Sequence, residues 1–507
     1  MNRNTFKVLL IYPNMYLMNM LPPAIAILSS LLKKEGYDVE LFDTTYHITD
    51  ESFNSDKEKE KHLQVRPFNL EGTGIDTKTT NVIDDLIEKV ETFQPNLIAM
   101  SAVEDTFPLG IRLLKAIRHF QIPTILGGVF STFAPEKAIA YDEIDIVCVG
   151  EGEDALLTLC KRLKKGQKYD DIPNLWVKEK SGSVKRNPMG ARVDIDNLPM
   201  PDFTLFEEAR LYRPMAGEVY RMIPFETHRG CPYACAFCNS PTQNALYKEN
   251  INTNYFRRRS MDSVRKEIDW LINQWNPEYM YFTADTFLAW SDKEFDEFIE
   301  TYSDYKLPFW CQTRAETVTD YRMKKLKSVG LHRMSIGLEH GNEQFRRDVV
   351  IRNYSNSVIQ EAFAITAKYE IPVSVNNIVG FPLETRELAF DTINLNRKII
   401  EGIDTANCYA FAPFHGTPMR DLAVEKGFLD KNTIGTCLTK GSQLNMPNFP
   451  QEQIYGIMRT FNLYTRFEKS RWKEIEIAEH ETIEGNRVFE KLRDEFIAEY
   501  YTGESVS

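Results

Sequence analysis

The stretch Gly230-Cys231-Pro232-Tyr233-Ala234-Cys235-Ala236-Phe237-Cys238-Asn239 decides how the rest of the chain is read. Three of the eight cysteines crowd into this one loop. That is too few and too uneven for a disulfide framework, and points to metal or redox chemistry. Three thiolates in a loop can hold three irons of a [4Fe–4S] cube and leave the fourth iron open to an outside ligand. Zinc is the competing reading. Structural zinc wants four closed ligands, and His228 could be the fourth. Packing cysteines are the plainest alternative, and the spacing in a Gly- and Pro-containing loop argues against it. The run Met222–Thr227 just before the loop reads as a strand, so the cysteines follow a strand end.

Downstream, Tyr279–Thr283, Phe309–Thr313, Arg333–Gly337, Val373–Val379 and Ala406–Phe411 are further strand candidates, separated by helical segments. Six β–α units predict an incomplete parallel barrel with its function at the carboxyl ends of the strands. Upstream, Val8–Tyr12, Val39–Phe42, Asn96–Met100, Thr124–Leu126 and Ile144–Val149 alternate with amphipathic helices, such as one with Leu113, Leu114 and Ile117 inward. This is the pattern of a doubly wound parallel sheet covered on both faces. Residues 50–80 are polar and charged and read as an insertion or mobile loop. Trp176–Val184 reads as a hairpin turning at Ser181–Gly182, and Leu198-Pro199-Met200-Pro201-Asp202 as a linker. The α/β chain is therefore expected to divide into a Rossmann-like domain at 1–164, a linker with hairpin at 165–216, a partial barrel at 217–420 and a helical segment at 421–507.

The 507 residues carry 61 Lys and Arg against 73 Asp and Glu, a net charge of −12. Such a balance argues against a broad nucleic-acid face, which needs a basic surface. The run Arg257-Arg258-Arg259 reads as a structural or solvated patch. Val8 to Leu32 is uncharged, but Pro13, Pro22 and Pro23 interrupt it and Asn14 and Asn19 add polar groups, so no membrane span is expected. A soluble, cytoplasmic protein is the expectation.

The Cys-x3-Cys-x2-Cys loop with Phe237 before its third cysteine, opening a six-unit β/α region, resembles the radical S-adenosylmethionine superfamily. The resemblance implies that Cys231, Cys235 and Cys238 hold the cluster and that S-adenosylmethionine occupies the open iron. One electron then yields a 5′-deoxyadenosyl radical, with flavodoxin or ferredoxin as the kind of donor implied. It also assigns Phe237 beside the cofactor and Thr283, Ala284 and Asp285 near the methionine amino group. The usual Gly-Gly-Glu is absent at that strand end. Arg314 is a candidate partner for a carboxylate, Glu339 for the ribose or methionine part, and Asn377 and Val379 belong to the segment near adenine. Ordinary barrel-mouth ion pairs and strand-end turns are the alternatives at these positions.

The N-terminal sheet resembles the cobalamin-binding module found upstream of many such enzymes. Ser101, then Gly127-Gly128-Val129, then Gly150-Glu151-Gly152 carry the likeness, which assigns them to a slot for the nucleotide tail of cobalamin. Glycine permits close backbone approach, and open parallel sheets bind ligands beyond their carboxyl ends. The loop Tyr12–Tyr16, where an Asp-x-His-x-x-Gly motif would place a histidine for cobalt, has none; Asp105–Gly110 mimics the pattern by chance after a later strand, with Phe107 in place of the histidine. A sheet that binds nothing, or a nucleotide, is the alternative.

Together the resemblances imply a cobalamin-dependent radical methyltransferase. The radical would take hydrogen from an unactivated carbon, and methylcobalamin would deliver methyl to the substrate radical. An oxidative cyclase or rearrangement enzyme with the same cofactors is the alternative, and a non-catalytic cobalamin or iron–sulfur sensor is the reading from another class. A tRNA methylthiotransferase would need more N-terminal cysteines than Cys148 and Cys160. The expected substrate is a small molecule or a peptide. Cys311, Tyr409 and His415 are candidates for lining its cavity, and the helical C-terminal segment is expected over the barrel mouth.

Overall fold

In the first sheet, β1 (Lys7–Tyr12) buries Val8, Leu9, Leu10 and Ile11 in succession. Consecutive buried residues mean that both faces of the strand are covered. The computed structural model describes residues 5–49 and 53–501. The outer ends of the expected first and last domains, at 1–4 and 502–507, and residues 50–52 of the expected insertion lie outside the described residues. The chain forms two compact units.

The first unit contains β1, β2 (Asp38–Asp43), β3 (Leu97–Ser101), β4 (Thr124–Gly127), β5 (Ile146–Cys148), β6 (Leu175–Lys178) and β7 (Val184–Arg186). Their order is β2-β1-β3-β4-β5-β6-β7, with β1 to β5 parallel and β6 and β7 antiparallel. The helix Phe107–Ile117 turns Leu113, Leu114 and Ile117 inward as its spacing predicts. The hairpin expected in a linker is instead the last two strands of this sheet, and the first unit runs on to Tyr212. What holds residues 203–212 to the sheet is Arg210, a guanidinium only 1% exposed. It pairs with Asp43 and donates to the Met20 carbonyl (2.7 Å) and to Thr45 Oγ1 (2.6 Å).

The second unit is built on a sheet that curls. In chain order it has β8 (Tyr212–Met215), β9 (Glu218–Phe225), a two-residue ribbon of β10 (His228–Arg229) with β11 (Arg257–Arg258), then β12 (Tyr279–Phe282), β13 (Phe309–Arg314), β14 (Leu331–Glu339), β15 (Val373–Val379) and β16 (Thr405–Ala410). The sheet order is β16-β15-β14-β13-β12-β9-β8, with the six strands from β9 to β16 parallel. The intervening helices start where a side-chain oxygen can satisfy a free amide: Ser260, Ser291, Ser355 and Thr385 each cap one, and Ser291 with Glu294 closes a capping box. The basic run is structural, with Arg259 bound to Glu267 at 2.6 Å and Arg258 paired with Glu294.

One segment departs from expectation. Residues 55–70 are not a loose insertion: Ser55–Lys61 is a helix, and the stretch belongs to the second unit. The C-terminal helix Gln451–Arg466 packs on the helix Arg386–Lys398 and along β16, with Ile454 against Gly380 at the carboxyl end of β15. Both segments cover the open edge of β16. Gln64 donates to the Cys408 carbonyl (2.9 Å) and Asn462 to the Ala406 carbonyl (2.9 Å). A bare edge strand would otherwise expose unpaired carbonyls. Among the described residues no helix is long and apolar enough to cross a membrane.

Arg210→Ala leaves the Asp43 carboxylate without its buried partner. It is expected to cost about 3–5 kcal/mol, read as a lowered urea midpoint for the first unit. A cost no larger than that of an exposed ion pair would contradict the role given to Arg210.

Candidate functional site

The cysteine loop leaves β9 and β10 and is pinned by later parts of the barrel. Ala236 N donates to the Val350 carbonyl (3.0 Å), Met419 N donates to the Ala236 carbonyl (3.0 Å), and the Asn239 side chain donates to the His415 carbonyl (3.0 Å). Cys231 and Cys235 are buried and Cys238 is half-buried. Cys231 Sγ lies 3.4 Å from Thr286 Oγ1, and Cys238 Sγ lies 3.3 Å from Ser240 Oγ. Burial pushes the Cys231 thiol up to about 11 and raises Cys238 as well. A metal that takes these sulfurs as thiolates must therefore displace protons.

Cys235 is treated differently. Arg314 Nη1 donates to its sulfur at 2.8 Å and Arg352 Nε at 3.2 Å. Two guanidiniums donating to one sulfur would share the negative charge of a bound cluster. Arg314 lies 4.0 Å over the Tyr233 ring and donates to Glu316 (2.6 Å). It was expected to meet a ligand carboxylate and instead serves the cysteine loop. Arg352 also donates to the Gly337 carbonyl (2.7 Å) and reaches Glu339 at 3.1 Å. The sequence reading missed Arg352, because it follows a short helix in irregular chain with no periodic pattern around it.

The sulfurs feel one another's charge, Cys238 with both of the others. Among the described residues, no three His, Cys, Asp or Glu groups converge on a point where one ion would be chelated. A cube of four irons, bound by one thiolate per iron, would take all three sulfurs. His228 packs edge-on against Phe256 and Trp290, and burial lowers its pKa to about 3.

Around the loop stand the ends of β12 to β15. Glu339 is buried at φ +64°, where the register of β14 against β15 shifts between Gly337 and Glu339. Such a bulge re-aims a side chain, and a strained backbone of this kind collects at functional sites. Any side chain at position 337 would collide with the Glu339 carboxylate. Burial raises the Glu339 carboxyl, and Arg352 and Arg314 oppose that rise. Asp285 is open to solvent yet walled in by surrounding protein, which, with Glu226 nearby, pushes its carboxyl up to about 6. Thr283 donates to the Phe225 carbonyl (3.2 Å), and the Ala284 carbonyl accepts from Gln312 (3.4 Å). Phe237 lies under Arg352 at 5.4 Å.

Asn377 and Val379 are corrections. Both are fully buried, and Asn377 bonds to Asn396 on the helix Arg386–Lys398 (2.7 Å) and to the Asn407 carbonyl (3.0 Å). Their side chains face the outer helices, while Ser374, Asn376 and Ile378 alternate onto the other face. Cys311 is buried in the core, where burial raises its thiol, so it serves packing. His415 contributes its carbonyl to the cysteine loop.

In the first unit the strand order reverses between β1 and β3, the position where open sheets bind ligands. Ser101 and Gly127 are register partners at the ends of β3 and β4. A Cβ on Gly127 would meet only open space, and Val103 and Val129 beside it are 48% and 47% exposed. Gly128 takes φ +105°, and a Cβ there would stand 2.5 Å from the Ala102 carbonyl oxygen. Ser131 locks the turn, its hydroxyl lying 2.9 Å from the Gly128 and Cys148 carbonyls. An open, apolar-rimmed slot with a bare backbone floor fits the tail of a bulky cofactor. Gly150, Glu151 and Gly152 do not join it. A Cβ on Gly150 would meet Tyr247 Oη at 3.0 Å, and Glu151 accepts from Val193 N (3.1 Å) and donates its own amide to Tyr247 (3.1 Å). Phe107 packs against Phe130, centroids 4.4 Å apart, and is a core residue.

Two variants separate these sites. Gly128→Val should lose bound cobalamin while iron content stays at the wild-type level. Loss of both together would show a general folding defect. Arg352→Met should retain iron but make the cluster harder to reduce, seen as a more negative midpoint potential in an EPR titration. An unchanged potential would confine Arg352 to supporting the Gly337 carbonyl.

Comparison with known proteins bears on both units. Residues 225–395 match the model of the Radical SAM superfamily, and residues 63–159 match that of the B12 binding domain. An uncharacterized methyltransferase of Pyrococcus horikoshii is 24% identical over 383 residues, 74% of this chain and 79% of its own length. The cytidylyl-2-hydroxyethylphosphonate methyltransferase of Streptomyces wedmorensis is 18% identical, over 87% of this chain and 85% of its own. The structure of the cobalamin-dependent S-adenosylmethionine radical enzyme OxsB, with aqua-cobalamin and S-adenosylmethionine bound, superimposes with a TM-score of 0.65 at 17% identity, over 97% of this chain and 71% of that one. That likeness is one of fold. The matched cysteine loop and the matched sheet lie in one polypeptide, and the chain belongs to the radical S-adenosylmethionine enzymes that carry a B12-binding domain, with a [4Fe–4S] cluster, S-adenosylmethionine and cobalamin as cofactors.

Proposed function

We propose that this enzyme methylates an unactivated carbon of a small molecule. The observation that carries the reading is the presence, in one chain, of a three-thiol loop at a barrel strand end and an open glycine-floored slot at a sheet switch point. When bound, the cluster and S-adenosylmethionine supply a hydrogen-abstracting radical and cobalamin supplies the methyl group. Methyltransferases among the relatives support this over a cyclase, a rearrangement enzyme or a sensor.

In this reading Cys231, Cys235 and Cys238 hold three irons, and Arg314 and Arg352 donate to the Cys235 sulfur. Thr283, Asp285 and Glu339 border the bound S-adenosylmethionine. Ser101, Gly127, Gly128 and Val129 receive cobalamin within the Rossmann-like region 1–164, and the barrel 217–420 carries the chemistry. Glu339, held in a strained conformation by Arg352, keeps a fixed acceptor at the mouth for a hydroxyl or ammonium donor. Flavodoxin or ferredoxin would deliver the electron, in the cytoplasm, and nucleic acid plays no part.

The test uses reconstituted, reduced protein with S-adenosylmethionine deuterated in its methyl group. Label should appear in the corrinoid fraction and 5′-deoxyadenosine should be released. Cys238→Ala should stop 5′-deoxyadenosine release. Release of 5′-deoxyadenosine with no label in the corrinoid would remove methyl transfer and leave the cyclase or rearrangement reading.

A further inference from the structure

The curled sheet does not close on itself, and residues 55–70 fill the gap. On one side Gln64 holds the β16 edge through the Cys408 carbonyl. On the other, the Pro67 carbonyl oxygen lies 3.3 Å from where a Cβ would stand on Gly217, at the β8–β9 turn. Closing the gap this way leaves a cavity of about 270 Å³ inside the second unit, walled by inward residues of β12 to β16 and by Asp56, Lys59 and Arg66. It is too small for a large cofactor and is of the size that takes a metabolite or one end of it.

Three features of its wall constrain an occupant. Charge is the first. Lys59, Arg66, Arg213 and Arg333 face two carboxylates, Asp56 and Asp404. Asp404 is shared between Arg66 (2.8 Å) and Arg333, and Asp56 pairs with Lys59 at 3.0 Å. Four cations against two anions leave an excess of two positive charges. Burial works against the charge on Lys59, but Tyr409 and Asp56 more than offset it and keep its pKa raised. The second feature is a flat aromatic shelf. Tyr281 stacks on Trp310 with centroids 4.2 Å apart and planes 12° apart, and the Arg213 guanidinium sits 4.7 Å over Tyr281. The third is an acceptor without a donor. Asn407, 9% exposed, donates Nδ2 to Asn376 Oδ1 (2.9 Å), while its own Oδ1 is buried with no hydrogen-bond partner. An orphan buried acceptor is costly and marks a place for a ligand N–H or O–H.

The cavity also reaches toward the mouth of the barrel. Tyr409, the last residue but one of β16, stands in its wall. We infer that this cavity is the substrate site, and that the substrate is a small molecule with an anionic oxygen group, a flat unsaturated body and a hydroxyl or amide donor. The anionic group pairs with Lys59 and Arg213, the flat body packs beside the Tyr281–Trp310 pair, and the donor meets Asn407. Residues 55–70, outside the barrel in sequence, thus supply the specificity cation Lys59. This inference rests on the barrel being catalytic, as proposed above.

The experiment is calorimetric titration of the reconstituted full-length protein with benzoate, phenyl phosphate and the neutral benzamide. At least one anionic probe should bind about tenfold more tightly than benzamide, the worth of one charge-assisted hydrogen bond. Tighter binding of phenyl phosphate points to a phosphate-bearing substrate, and of benzoate to a carboxylate. Lys59→Gln and Arg213→Gln should each erase the preference while leaving benzamide binding in place. No binding by either anion, equal binding of benzamide, or a preference that survives both substitutions would overturn the assignment. Iron and cobalamin content are measured on the same samples. Their loss in wild-type protein would strike the proposed function itself, whereas normal content without anion binding strikes only this inference.

Discussion

The contact on which the second unit's organisation depends is the pair of guanidiniums at Cys235. Arg314 comes from the end of β13 and Arg352 from beyond β14, yet both donate to one sulfur of a loop that follows β9. Three distant parts of the chain are therefore registered against each other at the point where a cluster would bind. Removing one partner of such a buried set costs more than the bond itself, because the other charges are left unmatched. Arg352 extends the same network to Glu339 and the Gly337 carbonyl, so the bulge in β14 and the cysteine loop answer to one side chain.

A partial barrel brings a second constraint: its last strand has an open edge. Here the edge of β16 is covered by Gln64 on one carbonyl and Asn462 on another, and Ala410 N pairs with the Leu438 carbonyl (3.2 Å). Polar side chains used in this way admit segments from remote parts of the chain into the barrel wall. They also leave the interior polar, since Ser335, Ser374, Asn376, Asn407 and Tyr409 line the inner face. The usual rule of apolar barrel layers is reversed over this part of the lumen, which is what a small-molecule site requires.

Strands were legible because continuous apolar runs such as Val8–Tyr12 and Phe309–Thr313 have few other uses. The cysteine loop was legible because no packing need produces that spacing. Asn377 and Val379 were misassigned through parity. Val373, Val375, Asn377 and Val379 share one face, and the apolar company of Asn377 shows that this face meets helices rather than a polar lumen. Glu151 was read as a cofactor neighbour because its glycine-flanked turn looks open, while its partner Val193 lies 42 residues away. The segment Ser55–Lys61, with six charges in seven residues, reads as solvated helix, and nothing local announces that Lys59 lines a cavity.

The most direct test of the account is the metal and corrinoid content of the anaerobically reconstituted full chain, compared with the Cys231/Cys235/Cys238→Ala triple variant. The account predicts about four irons and one cobalamin per chain in the wild type, and cobalamin without iron in the variant. Zinc in place of iron, or iron that survives removal of all three thiols, would contradict it.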